Sequence, residues 1–282
     1  MPTFLALLSS LLWGTADFMG GTLARRLDAT RVVLVSQATA LAGLGPLVLL
    51  LGPDVTARAA VAGVIAGAVG AVALNAFYRA LALGTMGVVA PIAALGVAVP
   101  VVVGLVSGEE PRALQLAGIA VAVVGVVLAS GPELRGEGRG GAAPLLLALL
   151  AASGFGTVMA VLADGSEGGG VAEAVLVLLV MRATSVVLLG ALVAWQQGPR
   201  ALRAPRADLR DLAVIGAFDV GANGTFAVAS QSGLVSVTAV LASLYPAVTA
   251  VLAWQRHGER LRPLQLGGVG AALAGVVLLS AG

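Results

Sequence analysis

The chain has 282 residues, of which 59% are apolar and 11% charged, against about 45 to 50% and about 25% in an ordinary soluble domain. With a mean hydropathy of +1.03, this excludes a soluble globular fold. The sixteen basic residues, all arginine, and fourteen acidic ones leave a net charge of +2; the arginines are scattered singly between apolar runs, so no nucleic-acid-binding patch forms.

Taken in chain order, the sequence reads as an all-α membrane protein. Ten apolar runs, at about 3–23, 32–52, 59–82, 85–106, 113–131, 143–163, 171–195, 209–231, 233–254 and 263–281, are each long enough to cross about 30 Å of hydrocarbon. The opening MPTFLALLSSLLWG lacks the positive n-region of a secretory signal, so it is read as a retained first span.

That first span carries Asp17 within SLLWGTADFMGG. A carboxylate at such depth costs at least about 2.5 to 3.5 kcal/mol on insertion scales, and intramembrane ionisable groups mark pathways. Trp13 lies one turn earlier on the same face, a pairing that suits a cationic or amine-bearing solute. The structural alternative is a permanent clasp between Asp17 and Arg182.

The third span holds Asn75 and Tyr78, with Arg79 near enough to its end to snorkel. Arg182 stands near the centre of the seventh span and, being charged even when buried, needs an anion: Asp17, Asp219 or a substrate carboxylate. Asp219 and Asn223 sit one turn apart in the eighth span, flanked by Gly221 and Gly224, and Tyr245 precedes Pro246 in the ninth. For the asparagines the alternative is packing by interhelical hydrogen bonds. For Tyr245 it is packing against a bent helix.

The longest connections, near 131–144 and 196–208, leave no room for a soluble or nucleotide-binding domain, so ATP-driven pumping by this chain alone is not expected. No cysteine exists, and the single histidine, His257, lies in the arginine-rich WQRHGERLR. Neither a metal site nor a cofactor is expected.

The chain repeats. LQLAGIAVAVVGVVL at 114–128 matches LQLGGVGAALAGVVL at 264–278 at nine of fifteen positions; VSQAT at 35–39 echoes VMRAT at 180–184, WGT at 13–15 echoes FGT at 155–157, and the stretch from Asn75 echoes that from Asn223. Two five-span halves follow, residues 1–131 and 143–282, joined by a loop at 132–142. An odd span number inverts the second half, and transporter sites lie where such halves meet.

Thirteen arginines fall in the loops after odd-numbered spans, whereas the opposite loops carry only Arg58 and Arg112. This asymmetry places the odd loops in the cytoplasm and both termini outside the cell membrane.

The WG in the first span, the five-plus-five repeat, Pro100 and Pro246 late in the fourth and ninth spans, and GE before a glycine-rich last span resemble the EamA-type members of the drug/metabolite transporter superfamily. The resemblance covers nearly the whole chain. It implies a ten-helix secondary transporter, often an exporter of amino acids or related metabolites, working by alternating access around a central cavity. Members are usually drawn with both termini in the cytoplasm; here the arginine distribution points the other way.

The leading expectation is therefore a non-enzymatic carrier of an amino acid or amine, with the lipid bilayer and the solute as its partners and the proton as candidate coupling ion. It would act as monomer or homodimer. Trp13, Tyr78 and Tyr245 would form walls, Asn75 and Asn223 would orient the solute, Arg182 would meet a carboxylate, and Asp17 or Asp219 would exchange a proton. A passive pore is the main alternative. A lipid-modifying enzyme is disfavoured by the absence of a serine, histidine and acid set.

Overall fold

The computed structural model describes residues 1–108, 110–130, 143–202, 206–258 and 263–281. The connecting loop at 132–142 and Arg135, Arg139, Arg203, Glu259, Arg260 and Arg262 lie outside the described residues. The first half comprises α1 (Pro2–Ala24), α2 (Ala29–Leu51), α3 (Ala57–Leu83), α4 (Met86–Ala94), α5 (Ala98–Val106) and α6 (Ala113–Ser130). The second comprises α7 (Ala143–Gly165), α8 (Gly170–Gln197), α9 (Leu209–Ser230), α10 (Val235–Ala242), α11 (Tyr245–His257) and α12 (Pro263–Ala281). No strand occurs among the described residues.

Eight of the expected spans are helical stretches long and apolar enough to cross a membrane. The remaining two coincide with α6 and α12, helices of 18 and 19 residues that pack chiefly on each other. Helix starts follow local chemistry. The Asp28 carboxylate accepts from Arg31 N at 3.1 Å to cap α2, and Thr56 Oγ1 accepts from Ala59 N at 3.1 Å to cap α3. Gly52, at φ 55°, ends α2 in the left-handed conformation that glycine adopts without a Cβ penalty.

The fourth and ninth spans are not continuous helices. A 3₁₀ turn at Leu95–Val97 separates α4 from α5, and a break at 243–244 separates α10 from α11. Pro100 and Pro246 have no N–H for the carbonyls of Gly96 and Ala242, four residues back. The chain around 243–244 tightens to i→i+3 bonds, Leu244 N to Leu241 O at 3.4 Å and Ala247 N to Leu244 O at 3.0 Å. Pro246 then falls in the first turn of α11, where its missing donor costs nothing.

The halves pack by exchange: α1 lies on α9 as α7 lies on α3, and α2 lies on α9 as α8 lies on α3. The two WG-type glycines explain part of this closeness. A Cβ at Gly14 would stand 2.5 Å from the Tyr245 carbonyl oxygen, and one at its repeat counterpart Gly156 would stand 2.1 Å from that of Gly96. Thr249 Oγ1 adds a bond to Gly14 O at 3.1 Å. Gly156→Ala is accordingly expected to lower stability by about 1 to 3 kcal/mol through overpacking; a thermal-unfolding midpoint equal to that of the parent would refute this.

Trp195 and Trp254 are 82% and 53% exposed, close to the ends of α8 and α11 on the arginine-rich face. Exposed tryptophan beside Arg200, Arg206, Arg210 and Arg256 marks a membrane–water boundary there.

Candidate functional site

Where the halves meet, a cavity leaves about 60 Å³ open to the centres of water-sized molecules. One water needs about 10 to 15 Å³ by that measure, so the space suits several waters or one small solute. Its walls come from both halves: Trp13 and Asp17 of α1, Gln37 of α2, Gly70 and Leu74 of α3, then Phe155, Val158 and Met159 of α7, Met181, Arg182 and Ser185 of α8, Asp219 and Asn223 of α9, and Tyr245 of α11.

Asp219 is the hub. Its carboxylate accepts from Gln37 Nε2 at 2.9 Å, Asn223 Nδ2 at 3.0 Å and Trp13 Nε1 at 3.3 Å, and pairs with Arg182 Nη1 at 3.0 Å. Arg182 Nη1 also donates to Gln37 Oε1 at 2.5 Å. The i, i+4 spacing puts Asn223 over Asp219 on one face of α9, where its amide also donates to the Asp219 carbonyl oxygen at 2.7 Å. A buried ion pair survives only when its remaining donors and acceptors are filled in this way.

Arg182 is not fully satisfied. Its Nε and Nη2 are buried without a hydrogen-bond partner, as is the Tyr245 hydroxyl. Asp17 is 6% exposed and, among the described residues, has no hydrogen-bond or ion-pair partner. Among the described residues, the cavity is therefore lined by a carboxylate without a counter-ion, Asp17, and by an arginine, Arg182, whose buried Nε and Nη2 have no acceptor. Buried polar groups left unpaired are costly, and such groups in a cavity are where a ligand gains most.

Six of the eight residues expected at a site line this cavity: Trp13, Asp17, Arg182, Asp219, Asn223 and Tyr245. Asn75 and Tyr78 do not. Asn75 exchanges hydrogen bonds with Thr30 at 3.2 and 3.4 Å, and Arg79 Nη2 donates to the same Thr30 hydroxyl at 3.1 Å, tying α3 to the start of α2. The Tyr78 ring is packed against Gly20 of α1, so closely that a Cβ there would lie 2.2 Å from Cζ. The partner of Arg182 is Asp219, with Gln37 between them, rather than Asp17.

Three lining residues outside the expected set, Gln37, Phe155 and Met159, are the repeat counterparts of Arg182, Trp13 and Asp17. Applying the repeat to each candidate identifies them from sequence alone. The contact between Gln37 and Arg182, matching positions of the two halves, also locates the pseudo-two-fold axis at this network.

Two helical halves related by the repeat close around a largely apolar cavity that holds a buried ion pair, the place where transporters built from inverted halves carry their sites. The chain belongs to the EamA-like transporter family, whose model matches it twice, over residues 1–131 and 142–281. A solved structure described only as "Crystal structure of protein" is similar with a TM-score of 0.72 at 18% identity, covering 99% of this chain and 96% of that one; it speaks to the fold alone. No curated protein matches the sequence.

Proposed function

We propose that the protein is a secondary carrier that exports a small metabolite bearing an amine, best an amino acid, in exchange for protons. The observation that carries this reading is the pair of unpartnered groups of opposite sign in one cavity. Asp17 takes the ammonium and the free edge of Arg182 takes the carboxylate, while Trp13 and Tyr245 supply the aromatic wall. Asp219 is held by four donors and stays with Arg182, which leaves Asp17 as the group for which ammonium and proton compete. That competition couples export to proton entry, because the carrier returns with a proton where it left with an amine.

The same reading places the arginine-rich face in the cytoplasm and both termini outside, with the chain in the cell membrane. The test is counterflow in proteoliposomes with a labelled amino acid, its decarboxylated amine and its N-acetylated acid. Saturable uptake strongest for the amino acid, and accelerated by an opposing proton gradient, is expected. Flux linear in concentration for all three indicates a pore instead.

A further inference from the structure

The repeat sets unlike surfaces on the two sides of the cavity. Where α1 packs on α9 stand Trp13, Asp17, Asp219 and Asn223. Where α3 packs on α7 stand Gly70, Leu74, Phe155, Val158 and Met159, joined by Met181 of α8. Phe155 and Met159 are the repeat counterparts of Trp13 and Asp17, so a ring with an N–H and an acid on one side are answered by a plain ring and a thioether on the other. Gln37 and Arg182 meet between the two sides.

No side chain on the α3–α7 side makes a strong hydrogen bond. Ser185 of α8, which also lines the cavity, donates its hydroxyl to the Gly67 carbonyl oxygen at 2.9 Å. A polar group of a solute turned toward this side loses its water without gaining a partner, at a cost of about 5- to 150-fold in affinity. A methylene placed there gains about fourfold.

Gly70 differs from the other glycines of α3. A Cβ at Gly63 would stand 2.6 Å from Val180 Cβ, and one at Gly67 would stand 2.5 Å from the Met181 carbonyl oxygen, so both glycines are needed for α3 to lie against α8. At Gly70 the neighbours are side-chain ends, Met181 Cε at 3.3 Å and Val158 Cγ2 at 3.5 Å, and among the described residues no backbone outside α3 comes within 4 Å. Packing leaves room for a methyl at this position. What the absent side chain keeps open is the floor of the cavity.

We propose that the solute is an α-amino acid with an apolar side chain, its charged groups on the α1–α9 side and its side chain on the α3–α7 side, and that Gly70 sets how large that side chain can be. This rests on the amino-acid reading given above and narrows it.

Two pairs of similar shape separate polarity from size: leucine against asparagine, and methionine against glutamine. Each is titrated into the purified protein, with the rise in melting midpoint as the readout. Leucine and methionine are expected to bind at least about tenfold more tightly than their polar partners. Gly70→Ala is expected to melt near the parent, whereas Gly67→Ala melts lower. It is also expected to lower the affinity for methionine relative to alanine by about tenfold or more, because one methylene in a fitted apolar pocket is worth about 10- to 200-fold. Asparagine or glutamine binding as tightly as leucine or methionine overturns the apolar side chain and leaves the amino-acid reading standing. A Gly70→Ala protein that melts as low as Gly67→Ala, or that keeps the parent ratio of methionine to alanine affinity, overturns the role of Gly70. A midpoint that rises with none of these amino acids overturns the amino-acid reading, and this inference with it.

Discussion

Arg182→Met is expected to abolish transport and to destabilise the protein by about 3 to 5 kcal/mol, the cost of leaving one member of a buried ion pair alone. Asp219 is 7% exposed and keeps only the neutral donors of Gln37, Asn223 and Trp13 once the guanidinium is gone. The double variant Arg182→Met with Asp219→Leu removes the stranded charge, so its thermal-unfolding midpoint recovers most of the loss. Transport stays lost in both. Arg182→Lys separates the two roles: an ammonium keeps the pair with Asp219 but does not reproduce the second edge of the guanidinium, Nε and Nη2, that faces no protein acceptor. It is expected to melt near the parent and to transport far more slowly. Equal transport by Arg182→Lys and parent would show that the free edge has no part in binding.

The sequence shows the scaffold more fully than the site. Span positions are legible because apolar length is a direct physical requirement of the bilayer. The repeat is legible because both halves must fit the same packing, as the shared glycines of WGT and FGT illustrate with Gly14 and Gly156. The breaks at 95–97 and 243–244 follow from Pro100 and Pro246, but Pro46 and Pro91 sit inside helices that continue, so proline position alone does not locate a break.

Depth in a span identifies polar residues without saying which way they face. Asn75 and Asn223 occupy matching repeat positions, yet Asn75 meets Thr30 and Asn223 meets Asp219. The difference lies in the partners: Asp219 provides an acceptor in the second half, whereas its counterpart in the first, at the same four-residue spacing from Asn75, is Ala71. Gln37 was visible only as the echo of Arg182, and its place in the network depends on the two halves meeting at that position. Pseudo-symmetry of the backbone thus coexists with a charge distribution confined to one side of the axis.

Asp17→Asn is expected to leave stability unchanged and to remove function, the reverse of the balance at Arg182. No protein group depends on the Asp17 carboxylate among the described residues, so its conversion to an amide strands nothing. What is lost is the charge-assisted bond to an ammonium, about 1.5 to 3 kcal/mol, or about 10- to 150-fold in affinity. Half-saturation in counterflow and the ligand-induced rise in melting midpoint both read that loss. Proton-driven accumulation disappears as well, since the amide neither binds a proton nor releases one in this range. Asp17→Glu retains the charge one methylene further into the cavity and is expected to keep proton coupling with weakened affinity. A wild-type half-saturation in Asp17→Asn would place the amine elsewhere; a wild-type response to the proton gradient would leave Asp219, despite its four donors, as the group that carries the proton.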